Sequence, residues 1–132
     1  MRYEDLLNEA AGMGVRVEER PLHAGRCGCY YNPARLIIID EAMPDYEKAC
    51  TLAHELVHAR HHDHGHGNAK AEWRARRETA LRAVDMLEYA TAERMYGGDA
   101  YLIAQALDVT LQVVEDYRMV LHDRRTAPAS SI

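Results

Sequence analysis

The chain has 132 residues and a net charge of -5, enough for one domain with a core of ordinary size and too acidic for a surface that mainly tracks phosphates. Its three cysteines, Cys27, Cys29 and Cys50, are an odd number with no charged-then-apolar leader before them. That argues against a secreted disulfide framework, and a reducing, cytoplasmic compartment is expected.

The longest apolar run, Leu36-Ile37-Ile38-Ile39, is far short of the ~18 residues of a membrane span, so no membrane association is expected. Residues 3 to 13 place Leu6, Leu7, Ala10 and Met13 at helical spacing before Gly14, which predicts a first amphipathic helix. Val15 and Val17 then alternate with Arg16 and Glu18, the pattern of a short strand with one wet face. Residues 28 to 31 suit a second strand. Asn32-Pro33 suits a turn, and Arg35 to Ile39 suits a strand buried on both faces. Pro44-Asp45 opens a helix with Glu47 in its first turn, where negative charge suits the dipole, and the helix should run to about His62. Residues 63 to 68 are turn chemistry. Residues 69 to 89 read as one helix with Trp73, Ala80, Val84 and Leu87 on a single stripe. After the break at Gly97-Gly98, helices near 99 to 107 and 111 to 121 flank Asp108-Val109-Thr110. A single domain over residues 1–124 and a flexible tail over 125–132 are expected.

Inside the predicted 45–62 helix stands His54-Glu55-Leu56-Val57-His58. Two imidazoles at i, i+4 lie one turn apart on the same face, so both can grip one Zn²⁺ while Glu55 reaches the water that the metal activates. Tyr46, Ala49, Leu52, Ala53, Leu56 and Val57 form an apolar arc on the opposite side. Such a helix is buried on its back and presents its histidines at the front.

A catalytic zinc takes three protein ligands, so a third must come from elsewhere. If the chain turns back near Gly65, the next helix runs antiparallel and the level of the metal, position 56, faces about position 74. Glu72 is then roughly 3 Å from that level and Glu78 roughly 6 Å. Glu72 also lies beside the Trp73 edge of the buried stripe, so it is favoured, with Glu78 as the alternative. His64, six residues after His58, matches a metzincin spacing. Position 61 is His where that pattern needs Gly, so the helix should continue and carry His64 away.

Cys27-Gly28-Cys29 lacks the second pair that a structural zinc needs and reads as strand packing. Cys50, one turn before His54, reads as a small core thiol, with a redox-sensitive neighbour of the zinc as the alternative. Tyr30, Tyr31 and His23 are candidate oxyanion donors among which no spacing rule selects.

The runs Gly28-Cys29-Tyr30, Leu36 to Ile39 and Cys50 to His58, with Lys70-Ala71-Glu72-Trp73-Arg74-Ala75-Arg76-Arg77-Glu78 after them, resemble the ImmA/IrrE-type metallopeptidases, especially short versions from phages and mobile elements. The resemblance covers roughly residues 15 to 122 and implies zinc held by His54, His58 and Glu72. Four residues after the ligand Glu that family tends to carry Asp or Asn, and here stands Arg76, which keeps Glu78 open. Residues 103 to 110 are similar to the family's C-terminal element, which has a helix-turn-helix flavour. Residues 101 to 122 hold only Arg118 against Asp108, Glu115 and Asp116, so packing against the core is the better reading and no direct nucleic-acid contact is expected.

The expected fold is α+β and zincin-like: a short sheet packed on a helix pair carrying the two histidines and the glutamate, with two C-terminal helices. The implied activity is zinc-dependent hydrolysis of a peptide bond in a protein substrate, with Glu55 as general base. The resemblance implies a helix-turn-helix repressor as that substrate. The alternative is a metal-stabilised regulatory module that binds the repressor without cutting it.

Overall fold

The computed structural model describes residues 1–23, 25–65 and 67–126. In chain order they form α1 (Tyr3–Gly12), β1 (Arg16–Arg20), β2 (Gly28–Tyr31), β3 (Leu36–Asp40), α2 (Asp45–Arg60), α3 (Ala69–Ala83), α4 (Met86–Met95), α5 (Ala100–Leu107) and α6 (Leu111–Thr126). This is the α+β, small zincin-like arrangement that the residue patterns predict.

The sheet has the order β1-β3-β2, with β1 parallel and β2 antiparallel to β3. α1 and α2 pack on it. Ile37 and Ile39 are fully buried with Leu52 and Leu56 of α2 and Leu6 of α1. Burial of such side chains stabilises by about 2 kcal/mol each and holds α2 to the sheet. The expectation that β3 is buried on both faces is corrected, because Leu36 and Ile38 stay half-exposed. The helices on the sheet cover one face, and the alternation of a strand sends every second residue to the other.

Gly28 opens β2 where a Cβ would come within 2.8 Å of the Ile38 carbonyl oxygen and of Thr51 Cγ2 on α2. Only glycine lets this edge strand approach α2 so closely. α2 also faces a second core, where Cys50 packs with Ala80, Tyr89, Ile103, Val109 and Val114. The helix that carries the histidines is therefore clamped from two sides.

The single helix expected over 69–89 is two helices. Val84 takes extended dihedrals and Asp85 caps α4 by accepting from the Glu88 N–H. Asp85-x-x-Glu88 is a capping-box spacing that was legible in the chain, and the break turns Leu87 out to 74% exposure. α6 runs on to Thr126, past the helix end expected near 121, with Arg124 and Arg125 in its last turn where positive charge suits the dipole. Residues 127–132 of the expected tail lie outside the described residues. Residues 101–122 pack against the rest of the chain through Ile103, Val113, Val114, Tyr117 and Val120, all buried.

Candidate metal centre

α2 is helical through both histidines because Leu52, Leu56 and Val57 bury its other faces. His54 and His58 therefore emerge one turn apart with ring centroids 5.0 Å from each other. α3 begins at Ala69 behind the Asn68 cap, whose side chain accepts from the Ala71 N–H. That start places Glu72 in the first turn, opposite the two rings. Its Oε1 lies 3.0 Å from His54 Nε2 and its Oε2 lies 3.1 Å from His58 Nε2.

One ligand atom from each of the three residues falls within 4.8 Å of the others. Donors about 2.1 Å from a tetrahedral metal ion stand roughly 3.4 Å apart, close to the 3.0 and 3.1 Å from Glu72 to the two rings, so this donor set could hold a metal ion. Electrostatics favour the binding forms of the ligands. Burial lowers the His54 pKa against the opposing charge of Glu72, which favours the neutral imidazole. Burial works to raise that of Glu72, but the charge that His54 and His58 carry when protonated, together with their hydrogen bonds, brings it below the ordinary value.

Glu55 stands beside the group and is not part of it. It is buried at 6% exposure and lines a cleft of about 400 Å³ together with His54, His58, Glu72, Gly28 and Asn68. Burial pushes its carboxyl up to about 7, with Glu72 adding to the rise and His58 opposing it. A carboxyl poised near neutrality can both take and return a proton.

The other candidates lie elsewhere. Glu78 meets His61, Oε2 to Nε2 at 3.3 Å, more than one and a half turns beyond Glu72. The helix stops at Arg60 rather than continuing, since His62 takes a left-handed conformation without a glycine (φ 51°). Arg35 secures this end by donating to the Ala59 carbonyl at 2.7 Å and lying 3.2 Å from His62 Nδ1. The turned chain brings His64 Nε2 to 3.2 Å from the Asn32 side-chain nitrogen, outside the ligand group. Tyr30 is buried and engaged with Asn32 and Arg35, whereas Tyr31 is exposed. Cys50 lies in the second core and its thiol is raised by burial. This is the small core thiol of the sequence reading. Cys27 is exposed and Cys29 half-buried.

Residues 9–118 match the model of the IrrE N-terminal-like domain, a peptidase family. The chain belongs to this family. No curated protein and no solved structure matches it significantly. In this IrrE-type domain the matched span starts within α1 and ends within α6, so it takes in all three strands and the whole candidate metal group.

Two residues of the site were missed in the sequence. Asp63 accepts from His58 Nδ1 at 2.9 Å and is gripped by Arg74. Asp116, from α6, is buried and takes a fork of hydrogen bonds from Arg76 at 2.6 to 3.2 Å. Its charge reaches His54 and partly offsets the effect of burial there. Nothing in local spacing marks Asp116, since its partner is 40 residues away.

Proposed function

We propose that this chain is a cytoplasmic zinc-dependent metalloendopeptidase that hydrolyses a peptide bond in a protein substrate, a helix-turn-helix repressor of a phage or mobile element. The observation that carries the reading is the convergence of His54, His58 and Glu72 within 4.8 Å beside a buried Glu55. His54, His58 and Glu72 would hold the ion. When bound, zinc acidifies water and polarises the scissile carbonyl.

Glu55 takes the proton of the attacking water and delivers it to the leaving amine, a task suited to a carboxyl buried beside the ligand group. Its burial keeps bulk water from competing for that proton. β2 is an edge strand whose first residue, Gly28, lines the cleft. An extended substrate segment can add to that edge through main-chain hydrogen bonds.

The test is incubation of the zinc-loaded wild type and Glu55→Gln with a repressor encoded beside the peptidase, followed by mass spectrometry of the products. The expected result is fragments from the wild type and a rate lower by roughly 10²- to 10⁴-fold in Glu55→Gln. Undiminished cutting by Glu55→Gln would sink the mechanism. Binding without cutting by either protein would favour a metal-stabilised regulatory module instead.

A further inference from the structure

His58 uses both of its ring nitrogens. Nε2 faces Glu72 at 3.1 Å, the side on which the ion would sit, and Nδ1 faces Asp63 Oδ2 at 2.9 Å. Asp63 stands in the turn just after α2, with its side chain 15% exposed. Arg74 on α3 donates to its Oδ1 at 2.7 Å and its Oδ2 at 3.0 Å. Glu72 and Arg74 are two residues apart on one helix. The contacts therefore close a ring that leaves α3 at Glu72, passes through His58 and Asp63, and returns to α3 at Arg74.

A neutral imidazole can present either nitrogen to a metal, and the nitrogen that carries the proton is set by what the other one meets. We propose that Asp63, itself held in place by Arg74, is the positioning residue for the His58 ligand. It accepts the Nδ1–H, which leaves the Nε2 lone pair aimed at the ligand group and makes the imidazole a stronger donor. Arg74 anchors the carboxylate to the helix that supplies Glu72, so turn and helix hold one register. The inference rests on the zinc reading above and assigns a role to two residues that the hydrolytic steps do not use.

The experiment measures zinc affinity by chelator competition for the wild type, Asp63→Ala, Asp63→Asn and Arg74→Gln. In parallel, ¹H–¹⁵N NMR of the zinc-loaded proteins follows the His58 Nδ1–H. Asp63→Ala should weaken zinc binding by roughly 10- to 100-fold and abolish the slowly exchanging Nδ1–H signal of the wild type. Asp63→Asn keeps an acceptor without the charge and should fall in between; Arg74→Gln should lose a few-fold. Zinc affinity and an Nδ1–H signal unchanged in Asp63→Ala would overturn the assignment. If Asp63→Ala does not fold, Asp63→Asn decides: wild-type affinity overturns the assignment and a weakened one supports it. A wild type that binds no zinc would overturn the zinc reading as well, whereas tight wild-type binding with unaffected variants overturns this inference alone.

Discussion

Glu55 carries a cost that can be measured without substrate. In the unfolded chain its carboxyl titrates near the ordinary value of 4.5, and in the folded, metal-free protein it is pushed up to about 7 by burial. The folded state therefore holds the proton more tightly than the unfolded one. The associated stability is fully present below pH 4.5 and is lost as pH rises through 7. At about 1.4 kcal/mol for each tenfold change in proton affinity, the loss approaches about 3 kcal/mol by pH 8. Glu55→Gln has no charge to bury, so the metal-free variant should be more stable than the metal-free wild type by about 3 kcal/mol at pH 8 and nearly equal to it at pH 4. In a domain of this size that corresponds to a Tm higher by roughly 10 °C at pH 8. Thermal and urea unfolding followed by circular dichroism in the presence of a chelator, from pH 4 to 9, gives the comparison. A Glu55→Gln protein no more stable at pH 8, or a gap that does not widen between pH 5 and 8, would refute the claim that Glu55 is a buried, strained carboxyl.

Metal analysis of His54→Ala, His58→Ala and Glu72→Ala should show lost zinc in each, with one ion per chain in the wild type and in Glu78→Ala, whose partner is His61. Gly28→Ala should destabilise by about 1 to 3 kcal/mol in urea unfolding, because its Cβ would sit 2.8 Å from both Thr51 Cγ2 and the Ile38 carbonyl; unchanged stability would mean that β2 gives way easily. Asp85→Ala removes the cap that starts α4 and should cost about 1 kcal/mol, read as a lowered urea midpoint.

The histidine pair was legible because its geometry is local: once 45–60 is helical, the i, i+4 spacing alone puts both rings on one face. Glu72 was legible at one remove, through the antiparallel turn near Gly65 that sets position 72 near the level of the histidines. The glycine turn at residues 97 and 98 was legible as well, and both take positive φ. Other features were hidden for physical reasons. The stripe through Ala80, Val84 and Leu87 continues the helical period across the point where the backbone breaks, so periodicity gives no sign of the break. The end of α2 at Arg60 depends on Arg35, 24 residues upstream of the carbonyl it binds. Four apolar residues in β3 suggested two dry faces, but dryness depends on what covers the sheet, which no strand encodes by itself.

Arg76 shows how a departure from a family's pattern can be absorbed without moving the site. Where the resemblance puts an acidic or amide group four residues after the glutamate, α3 carries a guanidinium, and a bare cation there would oppose a metal ion held by the same helix turn. The structure matches it with Asp116 of α6, which receives three hydrogen bonds from Arg76 and one from Gln112 and is 3% exposed. So deeply buried a side chain is accommodated through its pairing with Arg76, and Asp116 acts on His54 in the direction opposite to burial. The acid that answers Arg76 thus comes from the C-terminal helix, and its effect on His54 adds to the stronger one of Glu72 on α3. The consequence is that α6 is tied to α3, the helix that carries Glu72, through the Arg76–Asp116 pair as well as through the packing of Val113, Val114 and Tyr117, which gives the C-terminal helices a part in holding the candidate site in place.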